Sequence, residues 1–327
     1  MDEQLHRLTA FIDSALDEET DLPSECLAFV RAGKRLRAKL VLASSDQGLA
    51  MSDGDVIQAA AMIELVHAAS LLHDDIVDQC DERRSRPTLH RTHGTEAATL
   101  AGTHLVHLAL RLVADLPDLA RVRIAEAGQQ LARGQLLELM HARDFTVSPE
   151  ERLTVMKLKT ASMFGLACEL GGTLAGEDYN RSASRRRFGE AFGMLFQVAD
   201  DVDDFFASAS EQGRPPATDL RCAVMSLPII FALRTSAKRH VIALLEGAGT
   251  PALTAASSCR EVLRSSGALA RTVEVATTYA LEARDHLSVF PASGGSQWMA
   301  ALVDTTMARI TRFAAGSDEG ASELSTR

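Results

Sequence analysis

The sequence predicts an all-α protein folded as one domain, and three observations carry that reading. Glycine and proline are sparse, 21 and 9 in 327 residues, and the prolines stand singly or at natural breaks, which suits long helices better than a many-turned β protein. Apolar residues recur at helical spacing, most clearly in Ile57, Ala60, Ala61, Leu65, Ala68, Leu71 and Leu72. That segment is apolar nearly all round and is expected at the centre of its domain. No stretch rich in Pro, Gly or Ser divides the chain, which reads from Leu22 to about Phe313 as successive helical segments.

Individual elements have their own signals. Ser148-Pro149-Glu150-Glu151 offers a capping Ser, a Pro at the first helical position and a Glu at the third, so a helix should open there and run to about Ala175. Gly171, Gly172 and Gly176 weaken and end it. Arg83 to Pro87 mark one polar loop and Gly213 to Pro216 another. The helical domain is expected over 1–315, with the small polar tail 316–327 disordered.

Composition narrows the function. Apolar residues make up 46%, enough for a sizeable core, and aromatics only 5%, so that core is mostly Leu, Ala, Val and Ile. A formal charge of −10 argues against a nucleic-acid partner. It also means that an anionic substrate binds only where local cations or metal ions outweigh the net field. Cys26, Cys80, Cys168, Cys222 and Cys259 are scattered, without a C-x-x-C pair, and read as reduced thiols of a cytoplasmic protein. The acidic, amphipathic start MDEQLHRLTAFIDSALDEET lacks the order of a signal peptide. The longest apolar run, around Met225 to Leu233, is about half of the roughly 18 to 20 residues that cross a bilayer, so no stable membrane insertion is expected.

The chemistry is concentrated in LLHDDIVD and FQVADDVDD. Asp74 and Asp78 are four apart and share a helix face; Asp200, Asp201 and Asp204 repeat the spacing of Asp74, Asp75 and Asp78. Like charges at that spacing, near helix C-termini, call for a positive counterpart. Oxygen ligands without His or Cys favour a hard cation, and Mg²⁺ binds through a few carboxylates plus substrate phosphates. One such cluster is as readily a solvated helix end; two at one spacing, each after an apolar helix, point to metal-bridged diphosphate.

Cations accompany them. Lys34 and Arg37, with Arg35 between, put three charges in five residues, and Lys34 and Arg37 are expected on one face. Arg83 and Arg84 follow the first cluster, Arg214 the second, and Lys157 and Lys159 sit in an otherwise apolar helix. Guanidinium groups suit bidentate phosphate contact, although each alone is more often an ordinary surface charge. His67 reads first as a core histidine. His73-Asp74 has the form of a metal phosphohydrolase dyad, but that reading leaves Asp200, Asp201 and Asp204 unexplained.

LLHDDIVDQCDERRSRPTLH, GQLLELM, KTASMFGLACELG, FQVADDVDD and DLRCAVMSLP follow one another as in the trans-prenyl diphosphate synthases, and the chain resembles that family from about Gly33 to Pro228. The resemblance implies about ten or more helices around a central cavity, a homodimer, and a reaction of isopentenyl diphosphate with an allylic diphosphate. It implies that Asp74, Asp75, Asp78, Asp200, Asp201 and Asp204 hold three Mg²⁺ ions, and that Arg83, Lys159 and Arg214 clasp the allylic diphosphate. Lys34, Arg37, His67 and Arg84 would hold isopentenyl diphosphate, with Thr160 and Gln197 beside the reacting carbons. Chain length would be set below the first cluster by Ala69, Ser70 and Val66, and the small Ala69 leaves room for twenty carbons or more. The chain departs from the pattern at Ala38, Ser85, Thr103 and above all Val224, where a Lys is expected. Those departures leave open a partner-dependent or non-catalytic subunit, and the shared fold leaves open a class I terpene cyclase.

Overall fold

Helices form where the periodicity predicts them. The computed structural model describes residues 1–46, 53–84, 86–208, 211, 217–219, 224–247 and 252–314. Helices α1 (Asp2–Asp17), α2 (Ser24–Arg31) and α3 (Leu36–Ser45) lead to α4 (Asp53–Val77). A short antiparallel hairpin, β1 (Glu82–Arg83) with β2 (Arg86–Pro87), folds back at the end of α4, pairing Glu82 with Pro87 and Arg83 with Arg86. There follow α5 (Leu89–His93), α6 (Thr95–Leu112), α7 (Asp118–His141), α8 (Pro149–Met156), a π-helical turn (Lys157–Ala161), α9 (Ser162–Leu174) and α10 (Tyr179–Phe206). The described chain closes with α11 (Leu227–Ala232), α12 (Lys238–Leu245), α13 (Ala252–Ser265), α14 (Ala268–Ser288) and α15 (Gly294–Ala314). The all-α expectation holds. Arg214, the loop 213–216, Cys222 and the tail 316–327 lie outside the described residues.

Two central helices organise the bundle. The first, α4, packs against α1, α3 and α6, and the second, α10, packs against α9, α14 and α15. The segment Gly54–Val77 is long and apolar enough to cross a membrane by length and composition, which corrects the expectation that no run reaches that length. The expectation looked for an uninterrupted apolar run, whereas this helix admits Glu64, His67, Asp74 and Asp75 at intervals. It is mostly buried by its neighbours, as a core helix is.

The signal at Ser148 proves accurate. Its hydroxyl accepts from the Glu151 N–H at 3.1 Å, and the Glu151 carboxylate accepts from the Ser148 N–H at 2.7 Å. The helix it opens is not regular to Ala175, however. It relaxes into the π turn at Lys157–Ala161 and then resumes as α9. Such single turns widen the backbone by one residue and occur preferentially at functional sites. This one rests on α10 at Gly193, where a Cβ would lie 2.7 Å from Ala161 Cα. Phe164, one turn on, packs its ring against Phe192 and Phe196 of α10 at 5.4 and 5.2 Å. Cys26, Cys80, Cys168 and Cys259 are free thiols, and burial pushes Cys168 up to about 12, which keeps it protonated.

Candidate active site

The two aspartate clusters stand at the C-terminal ends of α4 and α10. Asp78 is one residue past α4, yet its N–H donates to the Asp74 carbonyl at 2.8 Å, so the four-residue spacing is kept. Within each cluster the acids divide into two kinds. Asp75 accepts from Arg83 Nε at 2.6 Å and is buried. Asp201, 1% exposed, takes Arg152 Nη2 at 2.9 Å, Gln197 Nε2 at 3.0 Å and the Leu227 N–H at 2.9 Å. Asp204, fully buried, accepts the N–H groups of Thr218 and Asp219 at 3.2 and 3.0 Å. These three carboxylates are engaged by donors of the protein itself. Of the others, Asp78 is half-buried and the Asp200 side chain is 41% exposed, while Asp74 is buried beside Lys159.

A chain of charges joins the clusters. Lys159 Nζ lies 3.5 Å from Asp74 Oδ2 and also donates to Glu138. Glu138 accepts Arg152 Nη1 at 2.7 Å, and Arg152 reaches on to Asp201. From Asp201 the path returns through Gln197, whose Oε1 accepts the Thr160 hydroxyl at 2.8 Å, and Thr160 adjoins Lys159. The ring brings together the expected Lys159, Thr160 and Gln197, and adds Glu138 and Arg152. Gly134 sets its spacing: a Cβ there would lie 2.5 Å from Lys159 N and 2.8 Å from Lys159 Cα. Gly134 and Glu138 are one turn apart on α7, so one face of that helix both admits the π turn and neutralises its lysine.

A cationic group sits deeper on the α4 side. His67 precedes Asp74 by seven residues, two turns and about 10 Å along the helix on the same face. Burial, with Arg37, Arg84 and Arg83 nearby, holds its imidazole well below the ordinary value, so it is neutral at physiological pH. The Arg37 guanidinium lies 4.5 Å over the Phe164 ring, and its buried Nε has no hydrogen-bond partner. Arg84, with φ of 53°, donates to the Ala32 carbonyl at 3.1 Å and covers the Phe29 ring. Lys34 and Arg37 do not share a helix face, contrary to expectation. Arg35 adopts φ of 57° and α3 begins only at Leu36, which leaves Lys34 exposed on the preceding turn and buries Arg35 instead. Ala69 is fully buried on α4, with Val66 and Ser70 half-buried beside it.

The polyprenyl synthetase family matches residues 23–262. The chain belongs to that family. It is 35% identical to the nonaprenyl diphosphate synthase of Mycobacterium tuberculosis over 93% of this chain and 91% of that one. It is 30% identical to the octaprenyl diphosphate synthase of Escherichia coli, with 86% of each covered. Among solved structures, it superposes on a polyprenyl synthase from Caulobacter crescentus complexed with calcium and isoprenyl diphosphate. The TM-score is 0.86 at 27% identity, over 94% of both chains. By class the polyprenyl synthetases are prenyltransferases.

The face of Asp74, Asp78 and Asp200 fits what such a synthetase needs from a divalent cation. Its donors are all carboxylate oxygens, which suit Mg²⁺ or Ca²⁺. Burial, with the Asp74 and Glu138 charges behind it and Lys159 opposing, pushes Asp78 up to about 6; burial also raises Asp74. Lys159 offsets this only in part, and a divalent cation would relieve the remainder. Among the described residues no group of three or more His, Cys, Asp or Glu side chains could hold a metal ion by itself.

Glu138, Arg152 and Arg309 were not identified from the sequence. Arg309, on α15, donates to Asp200 Oδ1 at 3.1 Å and to Asp203. The spacing of Gly134 and Glu138 is a signal that a reader of GQLLELM has available. Arg152 and Arg309 carry none, because their partners lie 49 and 109 residues away.

Proposed function

We propose that the chain elongates an allylic diphosphate with isopentenyl diphosphate, in a Mg²⁺-dependent reaction giving a trans-prenyl diphosphate of twenty carbons or more. One observation carries the reading: the carboxylates Asp74, Asp78 and Asp200 form a face linked by the Lys159–Glu138–Arg152–Asp201 chain and backed by the Arg37, His67 and Arg84 group. The allylic diphosphate would lie at that face, with Lys159 and Arg83 donating to it. Isopentenyl diphosphate would take the deeper cations Arg37 and Arg84, with Lys34 at the rim and neutral His67 as a hydrogen-bonding partner. Bound divalent ions would neutralise the leaving diphosphate electrostatically.

The allylic carbon–oxygen bond breaks with its electron pair leaving on diphosphate. The isopentenyl double bond attacks the resulting cation, and a proton is lost to the released diphosphate. Thr160 and Gln197 present oxygen dipoles beside the cation, and their hydrogen bond fixes which end of the amide faces it. Phe164, Phe192 and Phe196 keep water from the cation. The test is product analysis by mass spectrometry with five-, ten-, fifteen- and twenty-carbon primers, with and without Mg²⁺. Metal-dependent linear elongation is the expected result. Cyclic hydrocarbon, or no turnover with any primer, would overturn it, the latter pointing to Val224 and a required partner.

Chain length gives a sharper prediction. Ala69 lies one turn and a little more before Asp74 and in this reading borders the path of the growing chain, across which Ala69→Phe would put an aromatic ring. The longest product of the variant should fall to fifteen or twenty carbons. An unchanged product distribution would remove Ala69 from the tunnel.

A homodimer is part of the same reading. Met140 on α7 is 74% exposed and Leu100 on α6 is 68% exposed, with Leu110, Leu136 and Leu139 also open to solvent. Exposed large apolar side chains on these two helices would suit a second copy of the chain. Sedimentation should show a dimer for the parent and a monomer for Leu136→Glu/Met140→Glu; an unchanged mass for the pair would refute this face.

A further inference from the structure

The end of α10 carries Asp200, Asp201, Asp203 and Asp204, and their donors differ in kind. Asp201 is served by buried Arg152, Gln197 and the start of α11, and Asp204 by backbone N–H groups. Asp200 and Asp203 are served by Arg309, which arrives from outside on α15. Its Nη2 donates to Asp200 Oδ1 at 3.1 Å and its Nε to Asp203 Oδ2 at 3.1 Å, while its guanidinium stands 5.7 Å over the Phe196 ring. The helix is anchored at its other end. The Gly295 N–H donates to Asp46 Oδ2 at 2.9 Å, and a Cβ at Gly295 would meet the Ala43 carbonyl oxygen at 2.2 Å. A fixed helix start thus delivers one positive charge to the open acid of the second cluster.

A dication approaching Asp200 alone meets a guanidinium that already occupies one carboxylate oxygen and repels it. A dication arriving with diphosphate meets the same guanidinium as an attraction, because the ligand carries negative charge of its own. We propose that Arg309 is a positioning residue that makes metal loading at the second aspartate cluster depend on diphosphate. It aims Asp200 and Asp203 and withholds them from free metal. This rests on the metal reading above and adds the order of binding, traced to one side chain.

The test uses the purified full chain, with Mn²⁺ as metal probe and inorganic diphosphate as ligand. Bound Mn²⁺ is read by equilibrium dialysis, as the excess of total Mn²⁺ on the protein side over a protein-free blank holding the same diphosphate, so no turnover is involved. The parent should bind Mn²⁺ weakly alone and about ten-fold more tightly with diphosphate, an ordinary size for coupled binding. Arg309→Gln should bind Mn²⁺ alone about ten-fold more tightly than the parent and lose most of the coupling. Arg309→Lys, which keeps the charge, should retain it. Arg312→Gln, one turn further on and paired with Glu211, should behave as the parent. Arg309→Met keeps the aliphatic stem on Phe196 and replaces Arg309→Gln should that variant fail to fold. Unchanged or weaker binding of Mn²⁺ alone by the neutral variants overturns the proposal. A parent that binds no Mn²⁺ even with diphosphate overturns the metal reading, and this proposal with it.

Discussion

Gly134→Ala is expected to lower kcat/KM about 100-fold while leaving the helical content intact. The new methyl would sit 2.5 Å from Lys159 N and 2.8 Å from its Cα, and neither atom belongs to a side chain that can swing away. Backbone must move, at an overpacking cost of about 1–3 kcal/mol. The element that moves is the π turn bearing Lys159 and Thr160. A displacement of about 1 Å at a reacting centre costs on the order of 100-fold in rate. Gly128, on the same helix, is the matched control, since a Cβ there meets nothing within 4 Å. Gly128→Ala should raise stability by about 1 kcal/mol through helix propensity and leave turnover alone. Steady-state kinetics and thermal unfolding of the two variants decide the matter, and a Gly134→Ala enzyme of parental activity would remove the close approach from the mechanism.

Glu138→Gln should be the more damaging to stability. It strips the shared partner from buried Arg152 and from Lys159, whose side chain is 20% exposed. Removing one member of a fully buried ion pair costs about 3–5 kcal/mol, so this partly exposed pair should cost somewhat less. Activity should fall as well. Lys159, 3.5 Å from Asp74, would close on that carboxylate and take it from the metal face, so the Mg²⁺ concentration for half-maximal rate should rise. The acid limb of the stability curve provides a separate readout. Burial alone would raise the Glu138 carboxyl, but Lys159 and Arg152 overcome it and hold it at about 2, below its ordinary 4.5. A depressed carboxyl stabilises the fold fully above its unfolded value and loses that contribution as pH falls. The parent should therefore lose stability between about pH 4.5 and 2, and Glu138→Gln should lack that component. Parallel acid-unfolding curves for the two proteins would contradict the assignment.

Much of the site was legible because its signals are local. Carboxylates four residues apart after an apolar helix declare a shared face, and Ser148 with Glu151 declares a helix start, whatever the tertiary structure does. Which acids the protein's own donors claim was not legible. Asp74 and Asp75 differ only in what reaches them, and Arg83 folds back on the second through the hairpin. Asp201 is claimed by α8 and by the start of α11, elements far away in sequence. The Lys34–Arg37 pairing failed on one backbone angle at Arg35, which no propensity scale assigns to an arginine. The π turn escaped because α and π turns draw on the same residues and differ only in hydrogen-bond register.

That register has a consequence for how the protein can change. A π turn amounts to one residue inserted into a helix, and each residue rotates everything after it by about 100°. The α9 face that meets α10, with Phe164 turned toward Phe192, is therefore out of phase with α8 and comes into place only through the inserted residue. A one-residue deletion between 157 and 161 would restore an unbroken α-helix with better backbone hydrogen bonds. It would also swing either Lys159 or Phe164 out of position. The sequence thus retains, in the middle of its active-site helix, an indel whose reversal would look locally stabilising and would abolish what the helix is for.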